Sequence, residues 1–202
     1  MSLLNDLQNE AVKRNLLKPG AEIDAATAFR LVRDMPYMRA SDRQPETHLR
    51  EWRGSCSGKH YLLKALFAEL GLPAHIVAGT VELQLDPGAF TPELRDILQR
   101  TNGRFVDVHN YLLVDTPKGQ MVVDATWPLA TRKYGLVANE EFVLGQNQLV
   151  AYPTKQTWIV PDDVDPQAFK NKLLREHFTP EELAARDAFI ETFSQLLVDV
   201  AG

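Results

Sequence analysis

The chain has 202 residues, of which 45% are hydrophobic and 24% charged, and its 22 basic and 27 acidic side chains give a net charge of −5. This composition can bury a full core, so it predicts one globular domain and excludes a disordered chain. Because the basic residues form no cluster, we expect no nucleic-acid partner. Because no stretch resembles a signal peptide or a membrane span, we expect a cytoplasmic protein without membrane contact.

The N-terminal part of the chain predicts two helices and then a polar connection. The first helix has apolar residues at helical spacing: Leu3, Leu4, Leu7, Ala11 and Leu16. Asp24 is a candidate N-cap for the second helix, which continues through Val32. Residues 35–53 lose this periodicity and predict a shaped loop. In this loop Trp52 and Arg53 are candidates for substrate binding or modulation, although an ordinary solvated arginine explains Arg53 equally well.

The single cysteine, Cys56, lies in a turn of small residues that runs into an apolar helix ending before Pro73. A thiol is a nucleophile only as the thiolate, and the N–H groups and dipole of a helix N-terminus favour an anion. Gly54 and Gly58 are expected to let a substrate backbone approach. The helical spacing predicts Cys56 at the edge of a core-facing stripe that excludes Tyr61. Taken alone, the cysteine fits a small buried hydrophobe better.

His60 competes for the role of base, because it follows Cys56 by one helical turn and side chains on a helix lean towards its N-terminus. The sequence offers no carboxylate to orient its ring. We therefore predict a modulating or structural role, with an exposed helix histidine as the simplest reading.

No metal or cofactor is predicted. A cysteine, a histidine and an aspartate could bind zinc, but the sequence lacks the paired spacing of zinc ligands. Residues 162–165 are acidic but lack the glycine and the terminal glutamate of a calcium loop, and they simply precede a helix that begins at Pro166.

The second half of the chain predicts a β-hairpin that carries a histidine and an aspartate. The elements expected before it and within it are a strand at 74–81, a short helix at 92–98, and hairpin strands at 105–115 and 121–127. A four-residue loop at 116–119 sets Asp124 opposite Tyr111 and diagonal to His109 on one sheet face. A three-residue loop would separate them. We expect the first register, because it segregates polar from apolar side chains.

The C-terminal part predicts further strands at 149–151 and 157–160, followed by two helices. The first of these helices spans about 168–176, and the second begins with the capping box Thr179-Pro180-Glu181-Glu182. The predicted organisation is a single domain with a core at about 50–160 and helical flanks at 1–35 and 165–202.

Three fragments in this order resemble the transglutaminase-like superfamily. They are Gly54-Ser55-Cys56 at a helix start, His109-Asn110-Tyr111 on a strand, and Val123-Asp124-Ala125-Thr126-Trp127-Pro128 on its partner strand. The resemblance covers roughly residues 50–130 and implies an α+β fold with a papain-like core. In that core a central helix carrying the cysteine packs on an antiparallel β-sheet, and extra helices precede and follow it.

The resemblance also implies a catalytic triad of Cys56, His109 and Asp124, with Tyr111 as a further substrate-binding or modulating candidate. Thiol, imidazole and carboxylate are the nucleophile, the proton shuttle and the orienting group of acyl transfer. The expected activity is acyl transfer or hydrolysis of an amide bond in a peptide or protein, as in a cysteine peptidase or amidase. Two alternatives stay open: an amine-accepting transferase of the transglutaminase type, and a non-catalytic module that binds a peptide or partner.

Overall fold

The computed structural model describes residues 2–199 and has an α+β architecture, which confirms the predicted class. The helices are α1 Leu3–Lys13, α2 Ala25–Asp34, α3 Pro45–Glu51, α4 Cys56–Glu69, α5 Pro92–Gln99, α6 Pro166–His177 and α7 Pro180–Asp199. The strands are β1 Ala74–Gln84, β2 Arg104–Thr116, β3 Gly119–Val123 and β4 Thr157–Ile159. Short 3-10 helices span Pro87–Ala89 and Leu129–Tyr134. The strands form an antiparallel sheet in the order β3-β2-β1-β4.

Local capping signals explain where several helices begin. The Asp24 carboxylate accepts from the N–H of Thr27 at 2.7 Å, as expected for the N-cap of α2. The capping box at α7 is confirmed in both directions. The N–H of Thr179 donates to Glu182 Oε2 at 2.9 Å, and the N–H of Glu182 donates to Thr179 Oγ1 at 3.3 Å.

Two predictions of local structure are wrong. Residues 35–53 are not all loop, because α3 occupies Pro45–Glu51. This helix has only 7 residues, too few to show a period, and Trp52 ends it in the left-handed conformation with φ 51°. Residues 149–151 form no strand. Their backbone instead bonds to side chains, as when Asn139 accepts from the N–H of Leu149 at 3.0 Å.

The predicted hairpin register is confirmed. Leu112 pairs with Val123, and Thr116 pairs with Gly119 at the turn. The second strand is shorter than predicted, because β3 ends at Val123 and leaves Asp124 one residue beyond it. An Asx turn ends the strand here, since the N–H of Thr126 donates to Asp124 Oδ1 at 2.9 Å.

The backbone groups into two compact units, and neither is continuous in sequence. The first unit comprises Met1–Ile76 and Asn110–Ala151, and the second comprises Val77–His109 and Tyr152–Gly202. In the first unit α4 contacts α1, α2 and α3. Phe142 joins this packing, with its ring 6.0 Å from that of Phe29 in α2 and 5.3 Å from that of Phe67 in α4.

The second unit has an aromatic cluster and a buried ion pair. The Phe189 ring of α7 lies 5.0 Å from the Phe105 ring of β2. In the same unit Arg186 Nε donates to Asp107 Oδ1 at 2.7 Å, and Lys170 Nζ lies 3.5 Å from that oxygen. Burial would raise the pKa of Asp107, but the charges of Arg186 and Lys170 outweigh this effect and hold the pKa below its usual value.

Candidate active site

Cys56 is the first residue of α4, as predicted, and is only 2% exposed. The predicted single stripe is wrong for this half of the helix, because every residue from Cys56 to Leu63 is buried, including Tyr61. The beginning of α4 is enclosed by several parts of the first unit: His48 of α3 lies against Gly58, Asn110 of β2 accepts from Ser57, and residues 125–126 bond to Lys59 and His60. Different sides of the helix therefore touch different segments of the chain.

Lys59 and His60 lie about 60° and 40° from Cys56 around the axis of α4, so the three residues share one face. Both side chains reach the segment that follows β3. Lys59 Nζ donates to the carbonyl of Thr126 at 3.1 Å, and His60 Nε2 accepts from the N–H of Ala125 at 2.9 Å. The side of α4 that carries the thiol therefore faces residues 124–126.

His60 is completely buried, so the reading as an exposed helix histidine is wrong. Its Nδ1 lies 2.7 Å from the Cys56 carbonyl oxygen, which can only accept, so Nδ1 carries the proton. Its Nε2 accepts from Ala125 and lies 3.6 Å from Asp124 Oδ1. With both ring nitrogens engaged by backbone groups, His60 is a structural link and a poor general base.

Asp124 is held by hydrogen bonds to both its carboxylate and its backbone. Besides the Asx turn, its Oδ2 accepts from the N–H of Ala151 at 2.7 Å. Its own N–H donates to Gln148 Oε1 at 2.8 Å, and its carbonyl accepts from Asn139 Nδ2 at 2.9 Å. A carboxylate oxygen has two lone pairs, so it can accept from a backbone N–H and from an imidazole at the same time.

Asn110 ties the first turns of α4 to β2. Its Oδ1 accepts from Ser57 Oγ at 2.9 Å and from Tyr61 Oη at 3.4 Å. All three side chains are buried. Because Ser57 follows Cys56 directly, this bond fixes the start of the helix against the strand.

Gly54 and Gly58 do not leave room for a substrate backbone, and that expectation is corrected. A Cβ on Gly58 would lie 2.1 Å from His48 Cε1, and a Cβ on Gly54 would lie 2.9 Å from Lys59 Cγ. The glycines are therefore needed because side chains of the protein itself fill the space. Gly58 is about 200° from Cys56 on the helix, so His48 lies on the side away from the thiol.

His48 is a buried residue that the sequence did not single out. Its Nδ1 donates to the carbonyl of Arg53 at 2.9 Å, and its Nε2 has no hydrogen-bond partner among the described residues. Burial lowers the pKa of His48, so the neutral ring is favoured.

Trp52 and Arg53 each have a partner within the first unit. Arg53 Nη2 donates to Glu51 Oε2 at 2.6 Å, and bonds from Ser41 and Arg53 lower the pKa of that carboxyl to about 2. The Trp52 ring lies 4.7 Å from the Arg14 guanidinium carbon. Trp52 therefore packs on Arg14, and the charge of Arg53 is paired with Glu51. Their role in substrate binding or modulation stays a prediction.

Tyr111 and His109 are both buried residues of β2. Burial raises the pKa of Tyr111, and the nearby negative charge of Asp124 raises it further, in agreement with the confirmed register. His109 belongs to the second unit, where its ring centroid lies 5.2 Å from that of Tyr152 in an edge arrangement. Its role as proton shuttle stays a prediction.

Sequence reasoning thus missed Lys59, Asn110 and His48 as residues that build the start of α4. One signal was available for Lys59, because it follows Cys56 by three residues in a helix. Within residues 2–199, no group of three or more histidine, cysteine, aspartate and glutamate side chains could hold a metal ion. No helix in that range is long and apolar enough to cross a bilayer.

Comparison of the chain with models of known protein families, with curated proteins and with solved structures finds no match.

Proposed function

We propose that Cys56 is the nucleophile of a thiol-dependent acyl transfer or hydrolysis of amide bonds in peptides or proteins, on a papain-like core of the transglutaminase-like type. In this proposal His109 is the proton shuttle and Asp124 the group that orients it. The assignment of His109 rests on the order of the motifs along the sequence and on the resemblance they carry.

One observation carries the proposal for Cys56 and Asp124. His60, one turn after Cys56 on the same face of α4, has its Nε2 only 3.6 Å from Asp124 Oδ1. A buried thiol at a helix N-terminus and a buried carboxylate thus belong to one neighbourhood of the first unit. Both groups are typical of a nucleophilic site.

The proposed chemistry follows from these groups. The Cys56 sulfur attacks the carbonyl carbon of the substrate while the His109 imidazole takes the thiol proton. The imidazolium then gives the proton to the leaving amine, the C–N bond breaks, and an acyl thioester remains on Cys56. The N–H of Cys56 is a donor for the oxyanion. Water then attacks the thioester, His109 takes its proton, and the sulfur leaves and regains a proton.

The experiment uses p-nitrophenyl acetate as the acyl donor, with peptide mass mapping to locate the acetyl group. We expect acetylation at Cys56 and none in Cys56→Ala. His109→Ala and Asp124→Asn should slow acetylation roughly hundredfold or more, the usual contribution of a general base and its orientation. Faster turnover on addition of glycine amide would identify an amine as the preferred acceptor.

His60→Ala is the matched control, because it disturbs the same segment without removing a member of the triad. In Asp124→Asn the amide NH2 must face the N–H of Thr126 or of Ala151, so we expect this variant to have a lower melting temperature. Each acetylation rate is therefore measured well below the melting temperature of the variant. The proposed base is wrong if His60→Ala abolishes acetylation while His109→Ala and Asp124→Asn react normally. Failure of all variants, including the wild type, to form an adduct would favour the binding module.

A further inference from the structure

Lys59 is an ionisable side chain that the proposed chemistry does not use, and it is fully buried. Such burial of a lysine needs compensation from specific partners. Its Nζ donates to the carbonyl of Arg33 at 2.7 Å and to the carbonyl of Thr126 at 3.1 Å. One ammonium therefore links the end of α2 to the segment after β3.

The path of the Lys59 side chain is fixed by the turn before α4. A Cβ on Gly54 would lie 2.9 Å from Lys59 Cγ, so the absence of a side chain at Gly54 gives the lysine stem its channel. The stem runs towards the helix N-terminus, as helical side chains generally do. Cys56 is three residues earlier on the same face, where side chains are neighbours.

The charges around Lys59 come from three elements. Burial lowers the pKa of Lys59 to about 7, the carboxylate of Asp34 raises it, and the Arg33 guanidinium lowers it. Asp124 and Cys56 also raise it. Coupling between two groups is reciprocal, so a thiolate that stabilises the ammonium is stabilised by it to the same extent.

We propose that Lys59 is a positioning residue for the chemistry of Cys56: it holds residues 124–126 beside the first turn of α4 and supplies the positive charge that favours the thiolate. The inference rests on the proposed function, because it concerns the same nucleophile. Arg53, a candidate for substrate binding or modulation in the sequence, has its charge paired with Glu51.

The test measures the pH profile of Cys56 alkylation by iodoacetamide, with each rate divided by the plateau rate at high pH so that limited access to the thiol cancels. In Lys59→Met the midpoint of the pH profile should move to higher pH. The alkylation rate at pH 6, relative to the plateau, should fall roughly tenfold, which corresponds to one pKa unit. Lys59→Arg keeps the charge and should lie closer to the wild type. Lys64→Met, on the same helix but half-buried, is the matched control and should leave the midpoint unchanged.

An unchanged midpoint in folded Lys59→Met overturns the inference. If that variant does not fold, an NMR titration of the Lys59 ammonium in the wild type decides. Blocking Cys56 as its S-methylthio derivative should make Lys59 titrate at lower pH, and an unchanged titration overturns the inference as well. Neither measurement needs an acyl donor. A missing acyl adduct with an intact Lys59 effect would therefore contradict only the proposed function.

Discussion

At the scale of single residues, two glycines near the start of α4, Gly54 and Gly58, are packed closely by side chains of the protein itself. The His48 ring lies against Gly58, and the Lys59 stem lies against Gly54. Neither glycine has a positive φ. They are therefore required by close packing and not by backbone conformation.

Gly58→Ala should destabilise the protein by roughly 1–3 kcal/mol or more, because the new methyl group overlaps the buried His48 ring. The free energy of unfolding in urea measures this cost. Adding His48→Ala should restore part of the lost stability, because the smaller side chain makes room for the methyl group. A double-mutant cycle then gives the coupling free energy between the two positions. Strict additivity of the two changes would contradict the contact.

At the scale of elements, α4 is placed by bonds from its buried side chains to β2 and to the segment after β3. Ser57 bonds to Asn110 of β2. Lys59 and His60 bond to the backbone of residues 125–126, after β3. The helix has no side-chain cap at Ser55. Tertiary hydrogen bonds therefore fix the position of its N-terminal turns.

Asn110→Ala should cost roughly 1–3 kcal/mol, because it removes one acceptor that two buried hydroxyls share. Urea unfolding of this variant is compared with Asn9→Ala, an exposed asparagine on α1 whose replacement should change stability by less than about 0.5 kcal/mol. Equal effects of the two changes would show that the bond to α4 contributes nothing.

At the scale of the whole molecule, buried charge should give a characteristic pH dependence of stability. Burial lowers the pKa of Lys59 to about 7 in the folded protein, from 10.5 for a lysine exposed to water. Between these values the unfolded chain binds more protons than the folded one, so stability rises with pH.

We therefore expect the unfolding free energy of the wild type to increase from pH 7 towards pH 10 relative to that of Lys59→Met. The difference between the two curves gives the contribution of Lys59 to stability, because other groups that titrate in this range contribute equally to both. Urea unfolding at several pH values measures it. Parallel curves would mean that Lys59 keeps an ordinary pKa or is hydrated in the folded state.

The sequence by itself determined the features that depend on neighbouring residues. The capping box at Thr179, the N-cap at Asp24 and the hairpin register are confirmed. Each depends on atoms a few residues apart or on side-chain alternation across one turn, so local physics is sufficient. The short α3 was missed because 7 residues carry no readable period.

Only the tertiary structure decided which side chains surround Cys56. The sequence pointed to Arg53 and to an exposed His60, whereas the structure pairs Arg53 with Glu51 and buries His60 against Ala125. The contact of His60 depends on how α4 meets a distant part of the chain, because Ala125 is 65 residues from His60. Helical periodicity specifies the direction of a side chain but not its partner. In the first half of α4 every residue from Cys56 to Leu63 is buried, which removes the contrast between core and solvent there.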